Sequence, residues 1–333
     1  MRSLFNTYRL LIVGICIAVI MAILPFIGLD SFFARIISFG LINIIVVMGL
    51  VVLYGYSDQI SLASAAFYGI GAYSMAYVTT QLGLPSLVGI VVAVLLSATL
   101  GLLVALPALR LKSHYLAMGT MAFTLLASWF FAEAIPLTGG VDGRVSGSLL
   151  PVGVPYWASY LLVLAITIVV ILFVYNLTQG APGLAMRALG ANDPGARASG
   201  IKVEQIKVRA HIFAAVCAGL AGALFASVVG YISPSLFGLS ASSLFLAMII
   251  VGGKNSLTGP IIATVALSFI QYLALLIPDA SESTRSLLQS VQTDFYAVAV
   301  ILLILFAPKG LGALRLHLKT QKGSESDRGE RPS

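Results

Sequence analysis

The sequence predicts an all-α, polytopic membrane protein of about ten transmembrane helices. Three observations predict it. Charged residues make up only 9% of the chain and hydrophobic residues 59%, against about 25% charged in an ordinary soluble domain. The mean hydropathy is +1.02. Uncharged runs are also long: Asp58 is the sole charged side chain between Arg35 and Arg110, and none occurs between Arg144 and Arg187, between His211 and Lys254, or between Asp294 and Lys309. A hydrocarbon core needs roughly 20 apolar residues per helix, which such runs supply. The net charge of +7 is therefore read as loop and terminal charge beside a membrane, not as a nucleic-acid footprint.

Hydropathy places the spans near 10–28, 34–54, 60–80, 86–107, 115–134, 156–176, 210–230, 242–254, 258–277 and 294–307. The first follows Arg2 and Arg9 like a signal peptide but lacks a small-x-small cleavage site, so it reads as a retained helix. The eighth is short enough to be a broken or re-entrant element. Residues 1–312 thus form a transmembrane domain with a cytoplasmic loop at about 178–209. Residues 313–333 form a cytoplasmic tail whose Ser-, Glu- and Arg-rich end reads as disordered. Cys16 and Cys217 fall in apolar spans, which gives a disulfide framework no support.

Lys and Arg orient the spans. Arg2 and Arg9, then Arg110 and Lys112, then the 187–209 stretch, then Lys309, Arg315 and Lys319 recur on one side. The positive-inside rule makes that side, with both termini, cytoplasmic. The opposite loops carry only Arg35, Arg144 and Arg285.

Gly55-x-Ser57 is followed by Gly69, and Gly238-x-Ser240 by Gly252 at the same spacing. The first unit starts inside and the second outside, the mark of an inverted repeat with irregular backbone along a substrate path. Plain helix packing explains the same match. Within the first unit, Ser57, Gln59 and Ser61 are candidates to line a path, while Phe67, Gly69, Gly71 and Tyr73 suit close packing. Gly252, Gly253, Ser256 and Gly259 carry the same two readings. Asp58 belongs at the inner boundary, because a charge within the bilayer costs several kcal/mol.

The loop carries Arg187, Arg197, Lys202, Lys207 and Arg209 against Asp193 and Glu204. Asp193 before Pro194 reads as an N-cap with proline at the first helical position. Gly200 suits a left-handed stop. So short a helix needs a surface to pack on, and a partner ATPase would supply one. The alternative is an ordinary cytoplasmic loop obeying the positive-inside rule.

Enzymatic chemistry finds little support. His114, His211 and His317 fall at span edges or in the tail, where solvated positions are expected. No His, Cys or carboxylate cluster has metal-ligand spacing. Gly143-Arg-Val-Ser-Gly147 is not a nucleophile elbow, and no phosphate loop of the Gly-x-x-x-x-Gly-Lys-Ser/Thr type occurs. Energy for transport must come from a separate ATPase chain or from an ion gradient.

The segment Gly55-Tyr-Ser-Asp-Gln-Ile-Ser-Leu-Ala-Ser-Ala-Ala-Phe-Tyr-Gly-Ile-Gly-Ala-Tyr73 resembles the signature of branched-chain amino acid ABC transporter permeases. Thr138-Gly-Gly-Val-Asp-Gly143 is similar to that family's outer loop. Arg187-Ala188, Asn192-Asp193, Ala196-Arg197 and Gly200-Ile201 match its cytoplasmic loop in order. Ala218 to Leu224, Gly252-Gly253, Ser256-Leu257, Gly259-Pro260 and Pro308-Lys-Gly310 extend the resemblance over about residues 40–312. One departure is Ala63-Ser64, where the family often has Gly-His, and the solute stays open. The resemblance implies a permease subunit in a bacterial inner membrane. It implies as partners a second permease, a paralogue, two ATPase subunits that use the ATP, and an external solute-binding protein. It also implies an ATPase-coupling helix built from Arg187, Asn192, Asp193, Ala196, Arg197 and Gly200. No cofactor is expected in this chain. The alternative is an ion-coupled secondary transporter or a channel.

Overall fold

The computed structural model describes residues 31–108, 113–150, 156–254 and 256–272. Helix α1 (Ser31–Leu50) runs on into a π-helical turn, Val51–Tyr56. The other long helices are α2 (Ser64–Thr80), α3 (Ser86–Ala108), α4 (Ser113–Glu133), α6 (Tyr156–Gln179), α9 (Val203–Val229), α10 (Leu239–Gly252) and α11 (Thr258–Tyr272). Short helices α5 (Ile135–Thr138), α7 (Ala181–Ala191) and α8 (Asp193–Ala198) lie in the connections. The second to ninth expected spans thus each correspond to a helix. The spans at 10–28 and 294–307, the tail, and the basic residues at 2, 9, 110, 112, 285, 309, 315 and 319 lie outside the described residues.

Among the described residues, five helices, α1 with its π-turn, α3, α4, α6 and α9, are long and apolar enough to cross a bilayer. With 14 residues, α10 reaches only about 21 Å at 1.5 Å per residue, less than a hydrocarbon core of ~30 Å. It is entered through a 3-10 turn, Pro234–Phe237, so the eighth expected span is indeed short. The expected start of the seventh span at 210 is corrected to Val203. Lys202 to Arg209 looked like loop because of their charge, but Val203, Ile206 and Ala210 carry the apolar side of the first turns.

Burial separates centre from rim. The α1 segment Ala34–Tyr56 is 89% buried, whereas α3 is 22% buried and α4 and α6 are 28% buried. Helix α1 therefore forms the axis, packed against α6, α9, α10 and α11. Asn43 on α1 donates to the Ser268 hydroxyl on α11 at 3.0 Å, which satisfies its amide in an apolar interior. Helices α2 and α9 cross at glycine. A Cβ on Gly71 would lie 1.9 Å from the Gly219 carbonyl oxygen, and one on Gly222 would lie 1.8 Å from that of Tyr68. Small residues permit this backbone approach, which drives helix association in lipid through van der Waals contact.

The bundle has two distinct ends. At the strand end, β1 (Arg144–Val145) pairs antiparallel with β2 (Tyr231–Ile232), where α4, α5 and α9 finish. At the loop end, α7 meets the end of the π-turn and packs against α8. Gly55 lies at the loop end and Gly238 follows β2, on the opposite side, as an inverted repeat requires. Local structure at that spacing differs, however. The chain after Gly55 stays irregular until Ser64, while Gly238 leads directly into α10.

Candidate functional site

Residues 57–63 interrupt the passage from α1 to α2 without regular structure. In a bilayer, irregular backbone persists only where its polar groups find partners within the protein. The partners here are hydroxyls from two other helices. The Leu62 amide donates to Thr120 Oγ1 at 3.0 Å, and Thr124 Oγ1 donates to the Leu62 carbonyl at 2.6 Å, both from α4. The Ala65 amide donates to Ser242 Oγ on α10 at 2.9 Å. Sequence reasoning did not single out Thr120, Thr124 or Ser242. Their signal is a pair of hydroxyl residues one turn apart in an otherwise apolar span, read beside a helix break.

Ser57, Gln59 and Ser61, the candidates to line a path, are buried. The Ser57 hydroxyl donates to the Val52 carbonyl at 2.8 Å, and the Gln59 side-chain amide reaches the Lys207 carbonyl on α9 at 3.4 Å. Ser61 Oγ accepts from the Ala63 amide at 3.3 Å. The physical reason is demand for partners: each buried polar side chain finds a backbone group within the protein, Ser61 at the Ala63 amide inside the break itself. Phe67, Gly69 and Tyr73 belong to packing. A Cβ on Gly69 would lie 2.4 Å from the Phe131 ring, and Tyr73 lies against Phe131 and Phe237.

Asp58 sits at the loop end, half-exposed, with φ at +55°. Lys254 donates to its carboxylate and also lies 5.3 Å from the Tyr54 ring centroid. Lys254 tips the turn between α10 and α11. Gly253 adopts φ +95° there, and a Cβ on Gly259 would lie 1.9 Å from the Gly252 carbonyl oxygen. The Gly259 amide donates to Ser256 Oγ at 3.3 Å. The structure therefore brings the Gly252–Gly259 group to Asp58, a pairing that joins two helix junctions remote in sequence.

The second constellation is the basic loop. Helix α7 buries Gly183, Met186 and Leu189 and exposes Leu184 and Arg187. Arg187 donates to the Thr178 carbonyl at 2.5 Å, an orphan acceptor at the end of α6, and lies 5.4 Å from the Tyr56 ring centroid. The expected cap is corrected by one residue. Asn192, not Asp193, caps α8, its side-chain oxygen accepting from the Gly195 amide at 3.3 Å. Asp193 occupies the first turn, where its charge favours the helix dipole.

Gly200, at φ +78°, ends the helix as expected. The Ile201 amide donates to the Ala196 carbonyl at 3.1 Å and the Gly200 amide to that of Arg197 at 3.0 Å, a Schellman pattern. Ala196 packs with Leu189 and Val203 in a small separate core. The short helix is therefore supported by its own chain, and Pro194, Arg197, Ala198 and Ser199 remain exposed.

Asp193 also bonds Lys207 and Arg197, each at 2.7 Å, and Arg197 donates to Glu204. The Lys207 bond, the largest influence, holds the Asp193 carboxyl below its ordinary 3.8 against an upward push from burial, and the Arg197 bond adds to the lowering. This support is complete above the unfolded carboxyl's pKa and is lost as pH falls through the lower folded one.

One expectation about titratable groups is overturned. His211, expected at a solvated span edge, is 1% exposed within α9, and neither ring nitrogen has a hydrogen-bond partner among the described residues. The earlier start of α9 accounts for it: His211 lies two turns inside the helix, with Phe67 at 6.5 Å. His114's side chain and His317 lie outside the described residues, as does Cys16; Cys217 is buried and free. Among the described residues, no group of three His, Cys, Asp or Glu side chains could hold a metal.

Comparison with known proteins adds an independent line. The family described as branched-chain amino acid transport system / permease component matches residues 32–307. The high-affinity branched-chain amino acid transport system permease protein LivM of Salmonella typhimurium is 30% identical over 312 residues, covering 85% of this chain and 71% of that protein. Its Escherichia coli counterpart is 29% identical with the same coverage. The autoinducer 2 import system permease protein LsrC of Yersinia pseudotuberculosis is 29% identical over 170 residues, 49% of this chain and 45% of LsrC.

Proposed function

The chain belongs to the family of branched-chain amino acid transport permease components, and from that premise we propose that it is the membrane subunit of an ATP-driven importer. It carries branched-chain or similar small amino acids into the cytoplasm. A second permease, a paralogue, completes the pathway. Two ATPase subunits supply the energy, and an extracytoplasmic binding protein delivers the solute. The observation that carries the reading is the α7–α8 platform: a capped, self-supported pair of helices at one end of the bundle, its outward residues free for a partner. Ser57, Gln59 and Ser61 line the solute path once the seam between residues 57–63 and Lys207 opens.

A second reading has one observation in its favour. Ionisable groups inside membrane spans mark ion or proton pathways by default, and the buried His211 is such a group. The test is transport in liposomes. The assembled complex should take up leucine only with ATP, and should continue when proton and sodium gradients are collapsed. This chain alone, under an imposed gradient of either ion, should accumulate none. Concentrative uptake by the single chain would reject the ABC reading.

The orientation is tested by labelling. In a background free of Cys16 and Cys217, a cysteine at Val141, 78% exposed at the strand end, should react with an impermeant thiol reagent in intact cells. One at Ser199, exposed on the basic loop, should react only after permeabilisation, because the loop basic residues mark the cytoplasmic side. Labelling of Ser199 from outside would invert the assignment.

A further inference from the structure

A cavity of about 570 Å³ opens between α2, α3, α4 and α5. Its walls include Ile70, Leu96, Leu100, Leu126, Trp129 and Phe130, and several of these are strongly exposed. Among the wall hydroxyls, Ser74 donates to the Ile70 carbonyl at 2.6 Å and Thr138 to that of Ala134 at 2.9 Å. The Tyr73 hydroxyl is buried without a partner among the described residues, and almost no polar surface faces the groove. A groove so lined offers a polar solute nothing to replace water, whereas it suits a hydrocarbon chain.

Its depth is that of one leaflet. Along α3 the lining runs from Val92 to Leu100, about 12 Å at 1.5 Å per residue, close to half of a ~30 Å hydrocarbon core. At the strand end it is lined by Leu137 and Tyr77. Arg144 bridges those two walls: its guanidinium donates to the Leu137 carbonyl and lies 5.4 Å from the Tyr77 ring centroid. Among the described residues it makes no ion pair, although Glu133 and Asp142 are exposed in the same region. Arg144 thus places a cation at the headgroup level of an apolar groove.

We propose that this groove is a phospholipid site, with one acyl chain between α2, α3 and α4 and the lipid phosphate on Arg144. A lone cation at the end of an acyl-chain slot selects an anionic lipid over a zwitterionic one.

The protein carries its own reporter, because Trp129 lines the groove and Trp157 is the other tryptophan of the chain. Trp157→Phe leaves Trp129 alone. The full-length chain is reconstituted in phosphatidylcholine vesicles containing a small fraction of phosphatidylglycerol with brominated chains. Quenching of Trp129 should exceed random mixing, with local enrichment of roughly fivefold, the ratio that one basic residue at a membrane surface supports. Arg144→Gln should return it to random mixing, and Arg144→Lys should keep most of it. Should Arg144→Gln fail to fold, high salt on the Trp157→Phe protein makes the same test by screening the headgroup. Random mixing at low salt would overturn the proposal. So would absence of quenching by the brominated lipid at any fraction, which would mean that a protein surface covers the groove.

Discussion

Exchanging residues 193–200 for a flexible Gly/Ser linker is expected to reduce substrate-stimulated ATP hydrolysis in the assembled complex to the basal rate, with the chain still inserted in the membrane. The reason is mechanical. Asn192 and the Gly200 Schellman turn fix both ends of α8, Ala196 anchors it to Leu189 and Val203, and Asp193 ties it to Lys207 on α9. Displacement of the outward face would thus pass directly into the long helix that touches residues 57–63 through Lys207 and Gln59. A linker has no such rigidity. Neutralising Asp193 alone should do far less, because half-exposed ion pairs contribute about 0–1 kcal/mol. Normal stimulation in the linker variant would remove α8 from the coupling route.

Gly71→Val should abolish the folded protein. Its Cβ would meet the Gly219 carbonyl oxygen at 1.9 Å, and a backbone oxygen in mid-helix has no rotamer to move to. Overpacking of a tight core costs about 1–3 kcal/mol and sometimes more, and here two helix axes must separate. Gly40→Ala is the control, since its Cβ would lie in ordinary contact, 3.9 Å from Ser268. It should keep or raise the melting temperature, because alanine favours a helix by about 0.8–1 kcal/mol over glycine. Equal melting of the valine variant and the parent in detergent would show that the crossing is looser than described.

The helices were legible wherever apolar runs ended in plain punctuation. Helices α3, α4 and α6 begin within two residues of the expected positions, after Pro85 for α3, and their interiors carry no charge. The start of α9 was not legible, because Glu204, Lys207 and Arg209 sit on a helix whose other side is buried, and charge outweighed periodicity. The break was visible only in part, as the gap between spans ending at 54 and starting at 60 beside Gly55-x-Ser57; the helix starts only at Ser64, and the support of the break was not visible. Thr124 is 62 positions from Leu62 and Ser242 is 177 positions from Ala65. Lys254 stands 196 positions from Asp58, and no local pattern relates them. In the loop, Asn192 and Asp193 are both good caps, so backbone geometry alone decides between them. His211 could have been suspected once α9 was extended, since Val203 and Ala210 already marked its buried side.

The central position of α1 bears on how the molecule is made. Helix α1 is almost entirely enclosed, yet α9, one of its main neighbours, begins about 150 residues further along the chain. At roughly 5–20 residues per second, the ribosome delivers the start of α9 about eight to thirty seconds after α1 has left it. During that interval α6 is the one of its four main neighbours already made, and α1 must reside largely in lipid. Its mean hydropathy of 2.8, as high as that of the rim helices α3 and α6, suits a helix that meets fatty acyl chains before it meets most of its neighbours. Asn43 has to wait for Ser268, later still. Substitutions that add polarity to α1 should therefore act first on nascent-chain insertion and only afterwards on the stability of the finished bundle.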